Sequence, residues 1–534
     1  MKIQSTGRRR FAAAAAAVVA VVMLQLAGAG ASGASAESYI PITGTGSTWS
    51  QNALDQWRRN VATNYGMTVN YSGVGSSAGR RDFIGGKVDF AVSEIPFQAA
   101  PPDNEVATNF AYMPIVAGGT SFMYNLKIGG KRVTNLRLSG SVITKIFTGA
   151  IANWNDAAIQ SDNPGLKMPD KAIVPVVRSD GSGSSAQFTL WMSKQHGDLW
   201  TAGMTSQFPT PPNGKAQSGS LGVAGYVGQD YGEGAITYVE YSYALKSGFP
   251  VAKVLNAKGY YVEPTASSVA VALMQAQIAP DLTQILDGVY NNGDPRTYPL
   301  SSYSYMIIPT AVGGIFTTDK GKTLGTFANY MLCEGQQQAA QLGYSPLPMN
   351  LVLAGFDQIK RIPGADVSGV DINACNNPTF KPGDSPSSNQ LAVTAPQPAE
   401  CDKQGPDQCT TGTAGAPAET PITGTGGGGS ASGGPAAAGG GTAAAGAGAG
   451  SGTASATDAT YDANGDLVSG SASVAGAAVS APFTVDDSGW GTPQILMSVA
   501  AALLLAATLL PPLLSRRLRR SGPQNAPETT ASPR

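Results

Sequence analysis

The chain of 534 residues has a single histidine, His196, and four cysteines, none of them in a C-x-x-C pair. The close cysteine spacing usual in structural zinc sites is therefore missing, and one imidazole is too few for a histidine-built metal centre, which argues against a metal site. Net charge is also lacking: 34 Lys and Arg against 35 Asp and Glu leave a formal charge of -1. A chain balanced in this way has no general pull on nucleic acid or acidic lipid, so any recognition of an anion must be local. Nor is there a nucleotide-type phosphate loop at Gly321-Lys322-Thr323, because Phe316 stands where its first glycine would be needed. Long apolar runs occur only near the ends, at 11–28 and 495–514.

Those two runs carry topological signals. Lys2 and the arginines Arg8, Arg9 and Arg10 precede the first, and small residues ending Ala34-Ser35-Ala36 follow it. This is the pattern of a signal peptide over 1–36, with the mature chain starting at Glu37. The arginine run also loosely fits a twin-arginine signal. The second run is uncharged, long enough to span a bilayer, and followed by Arg516, Arg517, Arg519 and Arg520. By the positive-inside tendency it reads as a transmembrane helix over 494–514 with a cytoplasmic tail at 515–534, which places the rest on the extracellular face of the cell membrane. Between 377 and 489 the composition falls to Gly, Ala, Ser, Thr and Pro, with no aromatic residue between Phe380 and Tyr461. Such a segment buries too little apolar surface to offset its ordering entropy, and it reads as a disordered tether. Asp462, Asn464 and Asp466 resemble half of a calcium loop but lack its glycine and distal glutamate, which makes them solvated linker.

The folded part is then 37–376. Strand-like runs at 112–116, 122–125, 173–177, 235–239 and 305–308 alternate with helical patterns, which indicates an α/β architecture. Four cysteines in an exported chain favour disulfides. Three pairings are possible; proximity favours Cys401 with Cys409, leaving Cys333 with Cys375.

The chemistry gathers in Gly/Ser turns. At 174–194 an apolar run ends in Arg178, a turn containing Gly181, Ser182, Gly183 and Ser184 follows, and Phe188, Trp191 and Met192 then repeat with helical spacing. Glycines allow close backbone approach, while hydroxyls, the free N–H groups of a helix start and Arg178 all favour an oxyanion. Two further turns, TGTGSTW at 43–49 and SGVGSSAGR at 72–80, put the same residue types directly before helical patterns. One such turn is ordinary capping chemistry, but three could converge on one anion.

In their order and wording, six blocks resemble the phosphate-binding proteins that serve high-affinity phosphate ABC importers: TGTGSTW, NYSGVGSSAGRRDFIGGKVDFAVSEIPF, IFTGAIANWNDAAI, VVRSDGSGSSAQFT, GAITYVEYSYAL and YPLSSYSYMIIP. The resemblance implies a two-lobed type II periplasmic-binding-protein fold with two crossover strands as hinge, lobe I at 37–118 plus 299–376 and lobe II at 119–298. It implies a monomeric binder of inorganic phosphate without a cofactor, working with the importer's membrane subunits. Carried over position by position, the phosphate ligands would be Thr48, Trp49, Ser76, Arg178, Ser182, Gly183 and Ser184, with Asp180 bracing the arginine. Trp49 stands where phenylalanine is usual, Ser184 where threonine is, and Glu94 where the family has an aspartate. A carboxylate in an anion site suits one task, accepting the hydrogen that phosphate still carries and sulfate lacks.

Two rival readings stand beside this one. Gly75-Ser76-Ser77-Ala78-Gly79 fits the short pattern G-x-S-x-G, and Ser77, Asp180 and His196 follow in the chain order of a serine hydrolase. A wall-associated structural or adhesive protein would suit the tether and span equally, though it has no need of three anion turns. Arg80 and Arg81 read as a solvated basic pair.

Overall fold

The computed structural model describes residues 39–100 and 103–414, together with a short backbone pairing of Thr460–Tyr461 with Leu467–Ser469. That antiparallel pair belongs to a separate unit, Ala444–Arg534. The expected signal peptide at 1–36 and the expected span at 494–514 lie outside the described residues. Among the described residues, no helix is long and apolar enough to cross a membrane.

The first half of the fold runs β1 (Ile42–Gly46), α1 (Gln51–Tyr65), β2 (Val69–Gly73), α2 (Ser76–Ile84), β3 (Phe90–Ser93) and β4 (Phe110–Tyr124). The second runs β5 (Val174–Arg178), α3 (Gly183–Gln195), β6 (Lys215–Gln217), α4 (Gly219–Gly228), β7 (Ala235–Glu240) and α5 (Tyr241–Ser247), before β8 (Ser301–Pro309) and α6 (Thr318–Leu332) return to the first half. Helix α1 forms because Ala53, Leu54, Trp57 and Val61 share one buried face, and it stops at Gly66, whose φ of 66° is left-handed.

The eight strands make one sheet in the order β2-β1-β3-β8-β4-β7-β5-β6. Parallel strands flank each end, β1 against β2 and β3, and β5 against β7 and β6. In the middle, β4 and β8 run antiparallel to each other; β4 also pairs with β7, and β8 with β3. These two central strands carry the chain between the halves. The two strand-like runs at 112–116 and 122–125 are one strand, β4, with Gly118 and Gly119 between them. The glycines remain in the strand because Ser302 and Ser301 of β8 pair across them. Fourteen of its fifteen residues are buried, the mark of a strand covered on both faces. The α/β, type II periplasmic-binding-protein architecture is as expected.

The boundary at 377 is not as expected. Residues 377–414 pack on the body, with Thr379, Phe380, Thr413 and Ala414 buried. The Cys333–Cys375 disulfide fixes the start of this segment, and Cys401–Cys409 closes a short loop further on. Lys253 Nζ pairs with both oxygens of Asp402 at 2.8 Å, and Arg137 donates to the carbonyls of Cys401 and Asp407. Asn135 donates to the Cys409 carbonyl at 2.7 Å. The composition argument fails here because it counts only apolar burial. This segment is held instead by charge-assisted and main-chain hydrogen bonds to buried partners, which are the stronger kind.

Candidate functional site

Every proposed ligand turn lies at the carboxyl end of a strand: 47–49 after β1, Ser76 after β2, Glu94 after β3 and 180–184 after β5. In an open α/β sheet those ends form the crevice where ligands sit. Because parallel strands of both halves point their carboxyl ends at the same middle, residues more than a hundred positions apart meet. The N–H of Gly183 donates to Ser76 Oγ at 3.1 Å, joining the second turn to the third. Thr48 Oγ1 lies 2.8 Å from Ser220 Oγ and accepts the Ser220 N–H at 3.1 Å, joining the first turn to the start of α4.

Glu94 is at the centre of this cradle and fully buried. Its carboxylate accepts the hydroxyls of Ser47, Ser76 (2.9 Å) and Ser304 (3.0 Å). Its carbonyl accepts from Gln187 Nε2 at 2.8 Å. Burial pushes the Glu94 pKa up, and the three hydroxyls and the charge of Arg178 only partly oppose that. Gly183 has to be glycine, since a Cβ there would sit 2.1 Å from Glu94 Oε2. Gly75, which precedes α2, has a φ of 93° that an L side chain rarely adopts, and a Cβ would also meet Asp180.

Arg178 is 3% exposed and forms a two-pronged pair with Asp180 through Nε (2.7 Å) and Nη2. Its third nitrogen, Nη1, has only a long 3.5 Å contact with Ser220 Oγ. Asp180 also accepts the Gly219 N–H at 2.9 Å. Burial alone would raise the Asp180 pKa, but the hydrogen bonds and charge of Arg178 outweigh it and hold the carboxyl below its usual value. Ser182 caps α3 by accepting the Ser185 N–H. Ser184 Oγ is buried among these groups with no hydrogen-bond partner in the protein. Trp49 is buried edge-on against Tyr344, whose hydroxyl donates to the Trp49 carbonyl at 2.7 Å.

Thr48, Ser76, Glu94, Arg178, Asp180, Ser182, Gly183 and Ser184 are thus brought to one cradle. Sequence reasoning missed Ser47, Ser220 and Ser304. Ser47 lay inside the first quoted turn, and Ser218-Gly219-Ser220 is a fourth Gly/Ser stretch before a helix, so the same signal could have found both. Ser304 sits in a strand, and no local pattern marks it.

The serine-hydrolase trio does not assemble. Ser77 Oγ accepts from Arg80 at 3.3 Å, while His196 is the residue that ends α3, stacked edge-on against Trp191. The 13 residues of α3 span roughly 20 Å from the anion turn to that histidine. Arg80 is a second correction: it is fully buried, paired with Glu105 at 2.7 Å and Asp103 at 2.9 Å. Only Arg81 is exposed.

These features define a binding protein of the periplasmic type, and a PBP superfamily domain matches residues 28–334. A phosphate-binding protein PstS of Xylella fastidiosa is 32% identical over 321 residues, covering 59% of this chain and 83% of the relative. The PstS of Pasteurella multocida is 32% identical over 316 residues (58% and 87%), and PstS 2 of Mycobacterium tuberculosis 30% over 314 (57% and 82%). The chain therefore belongs to the PBP superfamily and, within it, to the family of phosphate-binding proteins.

Proposed function

We propose that the cradle binds one inorganic phosphate for delivery to the membrane subunits of an ABC importer. Thr48, the Trp49 N–H, Ser76, Arg178, Ser182, the Gly183 N–H and Ser184 act as donors, phosphate taking the place of the present acceptors of the Trp49 N–H, the Gly183 N–H and the Ser76 hydroxyl, while Asp180 braces Arg178 and Glu94 accepts the hydrogen on phosphate. The observation that carries this reading is the joining of turns from both halves around a buried arginine whose Nη1 has no close partner. The Arg178–Asp180 pair is neutral overall, so an incoming anion is held by oriented donors rather than by excess charge. The same reading takes the protein as exported and monomeric, with lobes closing about β4 and β8; the apolar runs at 11–28 and 495–514 support export and a C-terminal anchor.

Calorimetry on the full chain tests it. Phosphate should bind one to one and protect against thermal unfolding, by about 2.7 kcal/mol when present at a hundred times its dissociation constant. Absence of both heat and protection would remove the reading.

A further inference from the structure

A second buried polar site lies behind the cradle, between the two crossover strands and α3. Thr120 of β4, Ser302 of β8, Gln187 of α3 and Tyr290 line one small cavity, closed on its apolar side by Trp191 and Leu286. The first four are 2%, 2%, 8% and 5% exposed. Thr120 Oγ1, Ser302 Oγ, Gln187 Oε1 and the Tyr290 hydroxyl are all buried without a hydrogen-bond partner in the protein. A buried polar atom left unpaired is costly, and four around one cavity require a shared partner.

The cavity offers about 10 Å³ to the centre of a water molecule, which is room for one. Its lining is neutral: three unpaired hydroxyls that can donate or accept, one amide oxygen that only accepts, and Ser301, whose hydroxyl already donates to the Tyr298 carbonyl at 2.7 Å. A hard cation would require more oxygens and a carboxylate, and an anion would require positive charge. We infer that this cavity holds one structural water that ties both crossover strands to the anion helix. Gln187 is the link to the cradle, because it lines the cavity with its Oε1 unpaired while its Nε2 donates to the Glu94 carbonyl at 2.8 Å. The water thereby positions Gln187, and through it the backbone of Glu94, against strands that must bend when the halves close.

The occupancy of this site does not depend on what the cradle binds; its influence on release rests on the phosphate reading. The test is a crystal structure of the full chain with phosphate, of the parent and of T120V/S302A, with phosphate release followed by stopped flow. The parent should show one solvent peak at about 2.7–3.2 Å from Thr120 Oγ1, Ser302 Oγ and Gln187 Oε1. The double variant should lose it and release phosphate about fivefold faster, the ratio set by one hydrogen bond of ordinary net worth. A dry cavity in the parent, side chains closed on one another, or a cation revealed by anomalous scattering after a thallium soak would each overturn the water site. Unchanged release after loss of the water would overturn the coupling. Should T120V/S302A fail to fold, Y290F removes one partner without changing shape and is judged by the same peak and rate. A parent that shows the water but binds no phosphate would overturn the function proposed for the cradle and leave the water site standing.

Discussion

Arg80, in α2, and Arg178, at the end of β5, are both buried and both engage carboxylates, one in each half of the fold. They differ in what the protein leaves unspent. Arg80 directs Nε to Glu105, Nη2 to Asp103 and Nη1 to Ser93, so every nitrogen has a close partner and two negative charges surround one positive. Arg178 faces a single carboxylate, and its Nη1 reaches nothing closer than 3.5 Å. A fully paired buried cation holds structure together, whereas one with an unspent donor facing a cradle of hydroxyls and helix N–H groups has capacity for an anion.

The contrast breaks first at Arg80. Arg80→Met leaves Asp103 and Glu105 buried without their partner and should cost about 3–5 kcal/mol of stability, read by chemical denaturation, while the folded fraction keeps its phosphate affinity. Lost affinity with unchanged stability would reverse the roles assigned to the two arginines. Arg178→Ala should do the opposite, weakening phosphate binding by about 3 kcal/mol in calorimetry. Arg178→Lys should recover only part of that, because a point charge lacks the planar fork. Unaltered affinity in Arg178→Ala would place the site elsewhere.

Glu94 sharpens the comparison, being the one carboxylate in the cradle that is not committed to an arginine. Glu94→Gln should keep the fold and narrow the phosphate-to-sulfate preference by about 1–3 kcal/mol, while Glu94→Asp keeps the preference. Calorimetric titrations with both anions decide this, and a glutamine variant that rejects sulfate as strongly as the parent would end the assignment.

The smallest effect concerns pH. Burial raises the pKa of Glu94 above the ordinary value, and raises that of Glu240, which caps α5 from the end of β7, well above it. Between the ordinary and the folded pKa the folded state then binds more protons than the unfolded state, so stability falls as pH rises through that window. The contribution is fully present below the ordinary glutamate pKa and lost above the folded one. Glu240→Gln should flatten part of this slope in pH-dependent denaturation without altering phosphate affinity. An unchanged slope would mean that Glu240 does not contribute to it.

The three Gly/Ser turns were legible in the sequence because they are local. A Gly/Ser turn before a helix carries its donors within a few residues, whereas the individual positions 48, 49, 76 and 178–184 came from the resemblance to phosphate-binding proteins. Strand-like runs and the face of α1 were legible for the same reason, since period two and period 3.6 are written in neighbouring residues. The tertiary structure decided whatever depended on a distant partner. Arg80 looked solvated until Asp103 and Glu105 closed on it. The runs 112–116 and 122–125 looked like two strands until β8 paired across Gly118 and Gly119 between them. The segment 377–414 looked too polar to fold until Asp402 met Lys253 and two of its carbonyls met Arg137. Composition records how much apolar surface a segment can bury, but not which buried cation elsewhere in the chain awaits its oxygens.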